Sequence, residues 1–212
     1  QFVENIQRVE GARVTAVCDQ QPASLENLRQ VIGDEVRRFT EFDAFIDSGL
    51  FDAVVLANYF CEHVPYAIRA MGIHVLSETT PALTLAECVA LCRTVERTGC
   101  KYMLAENYPF FTCNLEMKRL YESGKLGRAL YCEGEYVHPA SRKDLNLLAP
   151  GRLHWRNWLP RPYYLTHALA PLLHITGNLP VAVNCKSVFA PEALAGTARV
   201  CRDMLSILLC EM

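Results

Sequence analysis

The chain has 212 residues, 51% of them apolar, and a formal charge of -2 at pH 7, enough for one large or two modest domains with real cores. A near-neutral balance without a Lys/Arg-dense run points away from nucleic acid, and no apolar run approaches the roughly 18 residues that span a membrane. The 10 cysteines are scattered without a C-x-x-C pair, which predicts free thiols in a reducing, cytoplasmic compartment and no metal site.

Taken in order, Phe2, Val3, Ile6 and Val9 share one helical face that ends at Gly11. With no Met and no strand before it, this segment reads as the second half of a strand–helix unit. The last segment, 204–212, reads as a strand with nothing returning from it. A piece of a longer chain is therefore expected. Residues 13–19, RVTAVCD, form a β-branched run closed by Asp19. A helix follows over 22–32 and a shorter one over 41–47. Residues 52–57, DAVVLA, are an apolar run after Asp52, as in a parallel strand buried on both faces. Asn58 stands at its end, and His63 falls early in the next helix.

The stretch 72–87, GIHVLSETTPALTLAE, organises what surrounds it. Gly72 stops the preceding helix, 73–76 read as a short buried strand, and Glu78–Pro81 make a polar turn. Thr84 with Glu87 then forms a capping box that opens a helix to Gly99. A further strand is predicted over 101–106. Alternating strands and helices of this kind predict an α/β doubly wound parallel sheet of the Rossmann type, with ligands at the carboxyl ends of its strands.

The pattern changes after Asn107. A helix over 114–123 stops at Gly124, and 128–138 alternate like a strand with one open side. Residues 139–161 read as a loop holding Trp155, Arg156 and Trp158. An apolar helix over 163–176 ends at Gly177, and strands are predicted over 181–188 and 200–210. This predicts an α+β domain with a mostly antiparallel, open-faced sheet. The domains are placed at 1–112 and 113–212, each lacking a terminal piece.

The stretches AVCD (16–19), Asn58 with His63, AMGIHVLSE (70–78), MLAENY (103–108), LYESGKLGRALYCEGEY (120–136) and LTHALAPLLHITG (165–177), in that order and spacing, resemble the Gfo/Idh/MocA family of sugar and polyol dehydrogenases. The resemblance implies a nicotinamide-binding Rossmann domain followed by a sheet domain that supports substrate and oligomer. The Gly-rich phosphate loop of that family is expected just before Gln1. Asp19 matches the ribose-binding acid and favours NAD over NADP. Glu78 matches the first residue of the family's Glu-Lys-Pro, but Thr79 and Thr80 stand where the Lys and Pro do. His167 matches the His of a later Asp-x-x-x-His motif, whereas Tyr163 stands at the Asp. Losing a positioned charge of this kind costs about 3–4 kcal/mol of transition-state stabilisation.

The catalytic candidates are therefore His167, as general base, Tyr163, as acid or orienting group, and Thr79. Against the role of His167 stands the reading of a satisfied core histidine, since its neighbours Leu165, Ala168 and Leu169 are apolar; the family resemblance favours the functional reading. Cofactor-binding candidates are Asp19, Asn58, His63, Glu78 and Asn107, with Asn107 preferred over Glu106. Tyr136, Trp155 and Arg156 are substrate-binding candidates, with His138 beside them. The preferred reading is an NAD(P)-dependent oxidoreductase acting on a sugar, polyol or related hydroxy compound. The alternatives are a non-catalytic binding protein of the same fold and an NAD-assisted glycoside hydrolase or lyase. A homodimer or homotetramer is expected through the 128–138 strand, without nucleic-acid or membrane partners.

Overall fold

The computed structural model describes residues 2–212, which form two compact units dividing after Leu104. The first unit begins with α1 (Phe2–Ile6), β1 (Ala16–Cys18), α2 (Pro22–Ile32), β2 (Arg37–Phe39) and α3 (Phe42–Ile46). It continues with β3 (Ala53–Leu56), α4 (His63–Ala70), β4 (His74–Ser77), α5 (Leu85–Thr98) and β5 (Tyr102–Leu104). Every strand pairing in this unit is parallel. β1 pairs β2, while β3, β4 and β5 pair in that order, with Val54 opposite Val75 and Val75 opposite Tyr102.

Local sequence explains the helices. Pro22 begins α2, where its missing N–H costs nothing. On α4 the residues His63, Val64, Ala67 and Ala70 are buried, which is the spacing of one helical face. Ala67 and Ala70 are small enough for the helix to lie close against the core of Val54, Leu56, Val75 and Leu91. The Thr84–Glu87 capping box is present in both directions: the Glu87 N–H donates to Thr84 Oγ1 at 3.2 Å, and the Thr84 N–H donates to Glu87 Oε2 at 2.8 Å. Gly99 ends α5 in the left-handed region at φ 67°.

The second unit contains α6 (Thr112–Glu122), α7 (Arg142–Leu148), α8 (Thr166–Thr176), β6 (Ala182–Phe189) and β7 (Asp203–Glu211). β6 and β7 are antiparallel, with Lys186 opposite Ile207 and an irregularity at Val188–Phe189. The division after Leu104, rather than after residue 112, has a physical reason. The segment Glu106–Phe110 packs its Tyr108 ring on His167 of α8, so it belongs to the second core.

Two expectations are corrected. Residues 128–138 form no strand. Gly134 instead brings this extended segment against α8, where a Cβ would collide with the Ala168 carbonyl. The loop over 139–161 contains α7, opened by a second capping box in which Ser141 Oγ accepts the Asp144 N–H at 3.2 Å and Asp144 accepts the Ser141 N–H at 2.9 Å. Here Asp144 takes the position usually held by Glu or Gln.

Candidate active site

In the second unit, chemistry concentrates on His167. α8 begins at Thr166, so His167 lies in its first turn. The imidazole is 10% exposed, and its partner Glu106 is 6% exposed. His167 Nδ1 lies 2.7 Å from Glu106 Oε1, and Nε2 lies 3.3 Å from the Tyr164 hydroxyl. A carboxylate accepts, so Nδ1 carries the proton and Nε2 is left as the acceptor. The Tyr164 hydroxyl therefore donates to Nε2. Glu106 Oε1 also accepts the Tyr108 N–H at 3.1 Å, while Oε2 is buried without a partner. The acid is thus held in place on one oxygen only.

Aromatic rings enclose the imidazole. Tyr108 stacks on it at 4.4 Å, and Tyr136 meets it edge-on at 4.7 Å. Tyr136 also lies 5.9 Å from the Tyr164 ring and 6.1 Å from His138. Burial pushes the Tyr136 phenol above its ordinary range, with neighbouring Tyr164 adding to the shift. Gly134 lies close against α8, and two residues on Tyr136 meets His167. Arg156 stacks over Trp155 at 4.6 Å and stands 5.9 Å from the Tyr164 ring.

Of the residues singled out from sequence, His167, Tyr136, Trp155 and Arg156 gather here, with Trp155 joined through Arg156. Tyr163 is half-buried, but the ring that reaches His167 is Tyr164. The one-turn rule placing residue 163 on the face of His167 assumes a continuous helix. Residues Arg161–Tyr164 form a separate 3-10 turn, so the third residue before His167 meets it instead. Asn107 is exposed, and its carbonyl accepts the Phe110 N–H. Glu106, Tyr108 and Tyr164 are the residues that sequence reasoning passed over. Glu106 had a legible signal as a carboxylate closing an apolar strand; Tyr164 had none beyond its neighbour.

In the first unit, the remaining candidates sit at the carboxyl ends of parallel strands. Asp19 follows β1 and accepts the Gln21 N–H through Oδ1 at 2.7 Å. Asn58 follows β3, is exposed, and reaches Glu62 at 3.4 Å. His63 is 1% exposed, with Nδ1 2.8 Å from the Thr80 carbonyl and Nε2 3.1 Å from the Asn58 carbonyl. It fastens the turns after β3 and β4 to each other. Thr79 is buried, and its hydroxyl donates to Glu78 Oε2 at 2.9 Å. The Thr79–Thr80 peptide is cis. No cluster of His, Cys, Asp or Glu able to hold a metal occurs among the described residues.

These strand-end groups have the chemistry that a dinucleotide needs. Asp19 is a half-buried acid with one oxygen occupied by its own loop, and the other suits ribose hydroxyls. The donors and acceptors around Asn58 and Glu78 lie where such a fold receives its ligand.

Comparison with known proteins gives the family of the first unit and the fold of the chain. The model of the Gfo/Idh/MocA oxidoreductase family, described as an NAD-binding Rossmann fold, matches residues 1–106. A "Glycosyl hydrolase family 109 protein" from Shewanella amazonensis is 28% identical over 185 residues, covering 81% of this chain and 40% of its own length. The chain thus spans about two fifths of the length of the curated relatives it matches. Among solved structures, myo-inositol 2-dehydrogenase from Lactobacillus plantarum superposes with a TM-score of 0.80 at 17% identity, covering 98% of this chain and 60% of that one. Scyllo-inositol dehydrogenase from Lactobacillus casei, with bound NAD(H) and scyllo-inositol, gives 0.71 at 18% identity, covering 88% and 55%. At these identities the structures speak to fold.

Proposed function

We propose that this chain, which belongs to the Gfo/Idh/MocA oxidoreductase family with its NAD-binding Rossmann fold, serves an enzyme that oxidises a hydroxyl of a sugar, polyol or related compound. The observation that carries the proposal is the Glu106–His167–Tyr164 chain. NAD, when bound, accepts a hydride from the carbon that bears the hydroxyl. The protein must then take up the hydroxyl proton. His167 Nε2 is the acceptor for it, directly or through Tyr164, and the imidazolium that results is stabilised by Glu106 at Nδ1. The dyad supplies a proton acceptor in a chain that has no lysine at position 79, where the Thr79 hydroxyl donates to Glu78. Asp19, Asn58, His63, Glu78 and Asn107 remain the proposed cofactor contacts, with Asp19 favouring NAD over NADP. Tyr163 is retained as a substrate-side candidate beside Tyr136, Trp155 and Arg156.

A second reading is favoured by the relatives named glycosyl hydrolases. In it the same oxidation is transient and is reversed after a glycosidic bond is cleaved, so no reduced cofactor accumulates. A binding protein without hydride chemistry is the weakest reading, because an oriented buried base has no use in it. Self-association and a cytoplasmic setting complete the proposal. The support for self-association is the open β6–β7 face, where Leu205, Ile207 and Leu209 are exposed.

The test is to incubate the full-length protein and NAD with inositols, free hexoses and aryl glycosides. Reduced cofactor forming in proportion to the polyol or sugar consumed supports the first reading. Glycoside cleavage that depends on NAD without net reduction selects the second. Neither product with any compound contradicts both.

A further inference from the structure

Two guanidinium groups flank the site without carboxylate partners. Arg156 and Arg161 take part in none of the ion pairs among the described residues. Arg156 rests on Trp155 and faces the Tyr164 ring. Arg161 is half-buried, and its Nε is enclosed without an acceptor. Asp203 makes no ion pair with the Arg161 guanidinium. Asp203 accepts the Arg161 backbone N–H at 2.5 Å through Oδ2, and gives Oδ1 to the buried Arg199 at 2.8 Å. Arg199 is itself fixed by the carbonyls of Arg156 and Leu159.

A part-enclosed cation with no carboxylate paired directly to its guanidinium, and with a second cation nearby, is a costly arrangement. Burial draws the Arg161 guanidinium below its ordinary range, and the charge of Arg199 adds to that pull. The charge of Asp203 opposes this shift, and Tyr136 opposes it less. Arg161 opens the turn that ends at Tyr164, Arg156 faces the Tyr164 ring, and that ring lies 5.9 Å from Tyr136, so both guanidiniums belong to the side of the site where these tyrosines meet His167. A bidentate oxyanion satisfies a guanidinium fork better than water does.

We propose that Arg161, aided by Arg156, forms an anion subsite beside Tyr136, so that the ligand of this site is a sugar or polyol bearing a carboxylate or phosphate. This rests on the reading of the His167 site as the ligand site, and it specifies the ligand's charge.

The experiment measures binding by calorimetry to full-length protein with saturating NAD. It compares hexuronates, hexose 6-phosphates and the parent hexoses in the gluco, galacto and manno series. At least one anionic ligand is expected to bind ten-fold or more tighter than its neutral parent, with a ratio that falls as salt is raised. Arg161→Gln should reduce that ratio to within about two-fold of unity, and Arg156→Gln should reduce it in part. Preference for the uronate identifies a carboxylate, and preference for the phosphate ester identifies a phosphate. Equal binding of anionic and neutral members in every series overturns the proposal. So does a ratio that survives both substitutions in proteins whose near-ultraviolet circular dichroism is native. Because the readout is affinity, it separates from turnover: anion preference without oxidation sinks the oxidase chemistry alone, and oxidation of neutral sugars without preference sinks the subsite alone.

Discussion

At His167 the proposed chemistry depends on one hydrogen bond. Glu106 holds the Nδ1 proton and thereby leaves Nε2 facing Tyr164. Glu106→Gln keeps the shape, removes the charge that steadies the imidazolium, and lets the amide present either its oxygen or its NH2 group. It should lower kcat by about 10²-fold, within the range of general base catalysis, with little change in ligand affinity; steady-state kinetics with direct titration separates the two. A second titratable group nearby sets a pH limit on stability. Burial holds the His154 imidazole below its ordinary range, and the charge of Arg156 adds to this. The unfolded chain therefore takes up a proton more readily than the folded one, so stability is lost as pH falls below about 6.5, the ordinary imidazole value. Urea unfolding across that window should show the loss, and His154→Gln should flatten it.

The elements that position these residues rest on local signals. Thr84→Ala removes a cap of α5 and should cost about 1 kcal/mol in chemical denaturation. Gly134→Ala is the more informative change. Its Cβ collides with the backbone of α8, so it should displace Tyr136 and weaken ligand binding more than it lowers the unfolding midpoint. Much of this level was legible in the sequence. The 22–32 helix, the Thr84–Glu87 cap, the parallel strands and Gly177 follow from periodicity and end signals. Residues 128–138 were not legible, because alternation reports that a segment is extended but not whether another strand pairs with it. The choice of Tyr164 over Tyr163 turned on a break between two helical turns, which no pattern of side chains records. The role of Glu106 was visible only as an acid at a strand end; its pairing with a residue 61 positions away is tertiary.

For the whole molecule, no helix among the described residues is long and apolar enough to cross a membrane. On one side of the β6–β7 pair β7 presents an exposed apolar row, Leu205, Ile207 and Leu209, with Val188 beside Leu205 and Lys186 and Asn184 opposite the other two, and such a row is a candidate contact surface. Ile207→Asp should therefore lower the mass seen by light scattering at micromolar protein, and a wild-type monomer under those conditions contradicts the self-association proposal. In the proposed reading the parallel-strand unit binds the cofactor and the α8 unit handles the proton. The most direct measurement of their joint action is a single-turnover experiment, in which NAD-loaded full-length protein is mixed with excess sugar, polyol or glycoside and the nicotinamide absorbance is followed. The expected result is a burst of reduced cofactor in the wild type, slowed by about 10²–10⁴-fold in His167→Ala while NAD affinity holds. A wild type that binds NAD and ligand yet shows no reduction, or a His167→Ala protein whose burst is as fast as the wild type's, contradicts the assignment.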